Sequence, residues 1–191
     1  MAITEMSART TEIEGLLVIT TKAVEDERGT VRELYRASAF AGPAAPAFGP
    51  PRQVNLTETR RGAIRGLHGE EMTKLVGVAT GTGFGAYVDL RPQSPTFAAV
   101  VTAELHPGRQ VLVPRGVCNG FQSVSTGGCT YLYCFDGEWA AGMAGIAVHP
   151  LDPDLAIGWP IPVDPSDRAL LSARDAGLPS FAELRARLTK D

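Results

Sequence analysis

From residue 16 to residue 135 the sequence is broken into short apolar-rich runs, each closed by Gly, Pro, Asn or Asp within about ten residues. The runs cover 16–24, 30–34, 53–57, 74–80, 84–90, 98–105, 109–113, 120–124 and 130–135, and Val, Ile, Tyr and Phe recur in them. Segments of this length and composition suit strands, whose usual length is about 5–6 residues. No apolar period of 3.6 residues is sustained before residue 165, so a helical bundle is excluded and an all-β sandwich or barrel is predicted. Helical signals gather at the far end. Ser166 precedes one candidate stretch through Ala173, and Ser180 with Glu183 three residues on forms a capping box ahead of Phe181, Leu184 and Leu188 on one helix face.

A chain of 191 residues suits one domain: residues 1–191, with a core of about 12–163 and a C-terminal helical segment at 164–191. Hydrophobic residues make up 44% and charged residues 20%, which excludes general disorder. A net charge of −3 supplies no basic field for nucleic acid, so an anionic ligand must be met by a few local Arg and Lys side chains. The polar start lacks the pattern of an export signal, and no apolar run approaches the roughly 20 residues of a membrane span. Cys118, Cys129 and Cys134 are an odd set without paired metal-ligand spacing, as expected for a soluble cytoplasmic protein without disulfides. The Ala/Pro/Gly tract at 40–51 reads as a surface loop, either a functional one or a spacer. There is no internal repeat.

Histidine is scarce, with only His68, His106 and His149. A metal held by several imidazoles is therefore not expected, nor any other cofactor. His68 closes the run Arg65-Gly66-Leu67-His68. Residues three apart on a regular strand point to opposite faces, so Arg65 and His68 can meet one ligand only at a bend, which Gly66 permits. On these grounds alone His68 fits a structural side chain better than a catalyst, since a lone histidine is more often structural.

A set of motifs in order along some 150 residues narrows the reading. These are Arg28-Gly29 with Glu33, Gln53-Val54-Asn55, Arg65-Gly66-Leu67-His68, Lys74-Leu75-Val76, Val88-Asp89-Leu90-Arg91 with Ser94-Pro95-Thr96-Phe97, Val113-Pro114-Arg115-Gly116 with Gly120-Phe121, and Leu132-Tyr133. Leu151-Asp152-Pro153-Asp154-Leu155, Trp159-Pro160 and Leu171-Ser172-Ala173-Arg174-Asp175 complete it. Together they resemble the dTDP-4-dehydrorhamnose 3,5-epimerase family. The resemblance implies a cupin-like jelly-roll β-sandwich with short C-terminal helices. It also implies inversion at C5, C3 or both of a dTDP-4-keto-6-deoxyhexose, for deoxysugar biosynthesis. The expected partners are a nucleotide-diphosphate sugar and a second copy of the chain, in a homodimer that exchanges its N-terminal strand.

In such chemistry a C4 ketone acidifies its neighbouring carbons, so a base removes a proton and an acid returns one to the opposite face of the enolate. By resemblance His68 is the base, Asp152 its orienting carboxylate, Lys74 the oxyanion stabiliser and Tyr133 the acid. Asp152 also fits a turn cap, Lys74 a solvated strand end, and Tyr131 competes with Tyr133 because both face one side of a strand. The nucleotide sugar is assigned to Arg65, Gln53, Asn55, Thr57, Arg28, Glu33, Asn119 and Trp139, Arg being suited to paired diphosphate oxygens.

The pattern breaks in three places. Asn119 stands where most members have a second histidine, and Gly85 where they have its aspartate, so both members of one pair are missing together. The stretch after His68, Gly69-Glu70-Glu71-Met72-Thr73, is short and acidic, which opposes a diphosphate unless the carboxylates turn away. Retained proton transfer with altered scope is the favoured reading, with a non-catalytic nucleotide-sugar binder or a ketoisomerase on the same fold as alternatives.

Overall fold

A computed structural model describes residues 1–41 and 48–188. The strands are β1 (Ala2–Thr4), β2 (Ser7–Thr10), β3 (Leu17–Thr20), β4 (Ala23–Asp26), β5 (Gly29–Arg32), β6 (Gln53–Thr59) and β7 (Ile64–Glu70). They continue with β8 (Lys74–Thr80), β9 (Gly83–Asp89), β10 (Val100–Leu105), β11 (Arg109–Val113), β12 (Val117–Ser123), β13 (Cys129–Phe135) and β14 (Gly145–Ala147). Two short helices follow, α1 (Ala173–Ala176) and α2 (Phe181–Leu188).

A six-stranded sheet in the order β2-β3-β11-β8-β13-β6 faces a five-stranded sheet in the order β10-β9-β12-β7-β14, and β1, β4 and β5 form a small third sheet. Every strand pair is antiparallel. This is the cupin-like jelly-roll sandwich.

The central strands read as nearly unbroken apolar runs because both of their faces are covered. Alternate residues of β8, β11 and β9 show it. Val76, Val111 and Tyr87 pack between the sheets, with Val101, Phe121 and Tyr131. Leu75 and Leu112 turn outward under Phe40 and Phe48, while Ala86 and Val88 turn outward under Leu155, Phe181 and Leu184. The C-terminal segment is thus a cover for the five-stranded sheet.

Most predicted strands lie within a few residues of their places, and 74–80 and 109–113 coincide with β8 and β11. The run 16–24 is two strands, β3 in the six-stranded sheet and β4 in the small one. The chain turns between them at Thr21, whose N–H donates to the Gly108 carbonyl at 2.9 Å. β1 and β2 were invisible because all their side chains are exposed, leaving no apolar pattern. The tract 40–51 lies in part outside the described residues.

The capping box holds: the Ser180 N–H donates to the Glu183 carboxylate at 2.8 Å and the Glu183 N–H to Ser180 Oγ at 3.2 Å. The helix expected after Ser166 does not form. Asp164 and Asp167 accept the N–H groups of Ser166 and Ala169, each at 2.8 Å, and these local bonds compete with a helical ladder. That segment instead runs past β7, where the Ile64 N–H donates to the Leu170 carbonyl at 2.8 Å, and helix starts only behind Ser172.

Candidate active site

A cavity of about 600 Å³ opens between the two sheets. One wall comes from β7 and β12, the other from β6, β8 and β13, and the C-terminal segment closes one side.

The bend foreseen at Gly66 is a bulge. His68 pairs with Asn119 and Arg65 with Phe121, so β7 spends three residues where β12 spends two. One inserted residue reverses the alternation and puts both side chains in the cavity. Gly66 carries φ of +121°, and a Cβ there would lie 2.6 Å from the Gly120 Cα, so no other residue fits without moving β12.

His68 Nε2 lies 2.8 Å from Asp175 Oδ1. The predicted partner, Asp152, is elsewhere: its two oxygens accept the N–H groups of Asp154 at 2.9 Å and Phe181 at 2.8 Å, capping a short 3-10 turn and opening α2. Both acceptors are used by backbone, and Asp152 does not line the cavity. The expected contact between Asp152 and His68 is therefore corrected: the carboxylate at the ring is Asp175, which sits in the Leu171–Asp175 motif and is held by Ser172 Oγ accepting its N–H at 3.0 Å. Burial works to raise the Asp175 carboxyl, but the His68 ring, Ser172 and the Gly66 backbone outweigh it and hold it below the usual carboxylate range. A proton on Nε2 shared with this carboxylate leaves the lone pair on Nδ1.

Lys74 is 3% exposed and so is not a solvated strand end. Its Nζ donates to the His68 carbonyl at 3.1 Å and to the Glu70 carboxylate. Of the two adjacent glutamates, Glu70 therefore turns inward onto a cation, while Glu71 is exposed.

Tyr131 and Tyr133 both line the cavity, on the sheet opposite His68. Tyr131 stacks on Phe121 with ring centres 3.9 Å apart, its hydroxyl accepts from Asn119 Nδ2 at 3.4 Å, and burial pushes its pKa up. Tyr133 is less buried, and its hydroxyl accepts from Thr57 Oγ1 at 3.1 Å.

Along β6 the alternation aims Gln53, Asn55 and Thr57 into the cavity and leaves Val54 and Leu56 outside. Gln53 Oε1 accepts the Trp139 N–H at 2.7 Å, which brings Trp139 to the rim. Arg65 is braced by Thr59 Oγ1 at 3.0 Å. Arg28 and Glu33 are not brought to this cavity. They pair locally with Asp26 and Arg36, on the turn of β4 and β5 and just beyond β5.

Sequence reasoning missed Arg168 and Arg174, which join Arg65 and Lys74 as cavity cations against the anions Glu70 and Asp175. At Gly85, one half of the missing second pair, the space is taken. A Cβ on Gly85 would lie 2.6 Å from the Tyr87 hydroxyl, so the Tyr87 ring occupies the room an aspartate would need. Tyr87 itself is fully buried.

A jelly-roll sandwich with a histidine–carboxylate pair on one wall and a tyrosine on the other, under a cationic rim, defines a proton-transfer enzyme for an anionic substrate. The family model for dTDP-4-dehydrorhamnose 3,5-epimerase matches residues 10–183, and the chain belongs to that family. It is 34% identical over 185 residues to a dTDP-4-dehydrorhamnose 3,5-epimerase of Streptomyces griseus, covering 94% of this chain and 88% of that one. A dTDP-4-dehydrorhamnose 3-epimerase of Streptomyces niveus is also 34% identical, over 95% of this chain and 92% of its own. Among solved structures, the 4-keto-6-deoxy sugar epimerase from the novobiocin cluster of Streptomyces spheroides superposes with a TM-score of 0.84 at 32% identity, covering 96% of this chain and 92% of that one.

Proposed function

We propose that this chain inverts a carbon beside the ketone of a dTDP-4-keto-6-deoxyhexose. The observation that carries the reading is the His68–Asp175 pair, 2.8 Å apart, in a cavity whose opposite sheet presents Tyr133. His68 takes the proton, Asp175 orients the ring and stabilises its charged form, Lys74 meets the growing enolate oxygen, and Tyr133 delivers a proton to the far face. Arg65, Arg168 and Arg174 suit the diphosphate, and Gln53, Asn55, Thr57, Asn119 and Trp139 line the remaining walls.

Incubation with dTDP-4-keto-6-deoxyglucose in heavy water tests it. Deuterium is expected at C3, C5 or both, and proton NMR of the product reads which carbon was inverted. Bound nucleotide sugar without exchange would leave a binder, and a shifted carbonyl would mean a ketoisomerase.

We infer further that the working unit is a homodimer. Val54 and Leu56 stand 56% and 64% exposed on β6, an edge strand, and Ile3 and Val31 are exposed on the small N-terminal sheet. A second copy laying its N-terminal sheet along β6 covers these apolar groups and carries Arg28 and Glu33 to the rim of the neighbouring cavity. Sedimentation equilibrium is expected to give a dimer; a fully active monomer would end this reading.

A further inference from the structure

The proposed chemistry leaves one cavity carboxylate without a task. Glu70 lies on β7 two residues beyond His68 and lines the same cavity. Its backbone is fixed from two sides, the carbonyl accepting the Gly116 N–H at 3.1 Å while β14 pairs with it through Gly145. The Lys74 side chain, 4% exposed, reaches across from β8 in the opposite sheet and donates both to the Glu70 carboxylate and to the His68 carbonyl at 3.1 Å. The ammonium is therefore tied at two points to the strand that carries the base.

An ammonium has three donors on a flexible four-carbon stem. Two ties fix the head and leave one N–H. We propose that Glu70 is a positioning residue, which clamps Lys74 so that this last donor is aimed at the ketone oxygen in register with His68. The proposal rests on the reading of Lys74 as oxyanion stabiliser. Glu70 also balances the buried charge of Lys74, so stabilisation of the enolate comes from a donor already in place. An interaction made mainly in the transition state moves kcat more than KM.

Steady-state kinetics on five variants, with thermal unfolding and dTDP affinity measured on each, test it. Lys74→Met is expected to lower kcat by roughly 100-fold and Glu70→Ala by roughly tenfold, with KM and dTDP affinity within about twofold. Glu70→Gln, whose amide oxygen still accepts from the ammonium, is expected to restore kcat to within about threefold of the parent. In the Glu70→Ala, Lys74→Met double variant the glutamate has nothing left to aim, so kcat equals that of Lys74→Met. Glu70→Asp keeps the charge balance if the alanine variant does not fold, and is expected to lose kcat because its shorter stem draws Lys74 away. Full kcat in both Glu70→Ala and Glu70→Asp, additive losses in the double variant, or a loss confined to KM would each overturn the clamp. A slow Lys74→Met beside a fast Glu70→Ala removes the clamp alone, whereas a fast Lys74→Met removes the oxyanion reading beneath it.

Discussion

Replacement of His68 by alanine is expected to lower the rate of solvent-deuterium incorporation by roughly 10⁴-fold, and Asp175→Asn by roughly 10³-fold, while Asp152→Asn stays within about threefold of the parent. The first change removes the base. The second keeps the shape but replaces an acceptor-only carboxylate with a group that no longer fixes the tautomer or offsets the charge of the protonated ring. The third tests the alternative sequence assignment, since Asp152 spends both oxygens on backbone N–H groups. Its loss is expected in stability, about 1–2 kcal/mol, because the amide keeps one acceptor and leaves the other N–H without one, measured by thermal unfolding. Acid titration gives Asp175 a second signature. The folded-state carboxyl of Asp175 is held below its ordinary value of 3.8, so its contribution to stability is in place above that pH and is lost as the pH falls through the lowered folded value. Asp175→Asn lacks this part of the acid dependence. Equal catalytic losses at Asp152 and Asp175 would break the assignment.

The contrast between those two residues shows what the sequence carries. Period-two alternation and turn residues are local signals, and they located β8, β11 and the α2 capping box from neighbours within a few positions. The pairing of His68 with a carboxylate 107 positions away is set by how the C-terminal segment covers the five-stranded sheet, and no local pattern encodes it. Asp152 was plausible because it lies in a well-matched motif, yet its Pro153-Asp154 context is that of a turn cap, the role it has. Gly66 was the better clue. The need for a bend between Arg65 and His68 was readable from strand geometry, and the bulge supplies it. Gly85 was readable only as a loss, since the ring that fills its place belongs to a tyrosine two residues on.

Tyr133→Phe is expected to uncouple exchange from inversion: deuterium still enters the substrate at an appreciable rate, while formation of the inverted product falls by roughly 10³-fold. His68 and Lys74 suffice to remove the proton and hold the enolate. The His68 side chain is 29% exposed, which lets the captured proton exchange with water before it returns to the same face. Without the Tyr133 hydroxyl the opposite face loses its assigned donor, so the main fate of the enolate is deuteration with retention. Proton NMR reads both quantities in one sample, isotope content from peak intensity and configuration from the ring couplings. Tyr131→Phe is the matched control, because its ring remains stacked on Phe121 and only a hydroxyl already bonded to Asn119 is lost. Inversion is expected to stay within about threefold of the parent in that variant, since the Tyr131 hydroxyl is engaged by Asn119 and its ring is buried against Phe121. Loss of inversion in Tyr131→Phe with retention of it in Tyr133→Phe would exchange the two roles, and loss of exchange in Tyr133→Phe would mean that the phenol takes part in removing the proton as well as returning it.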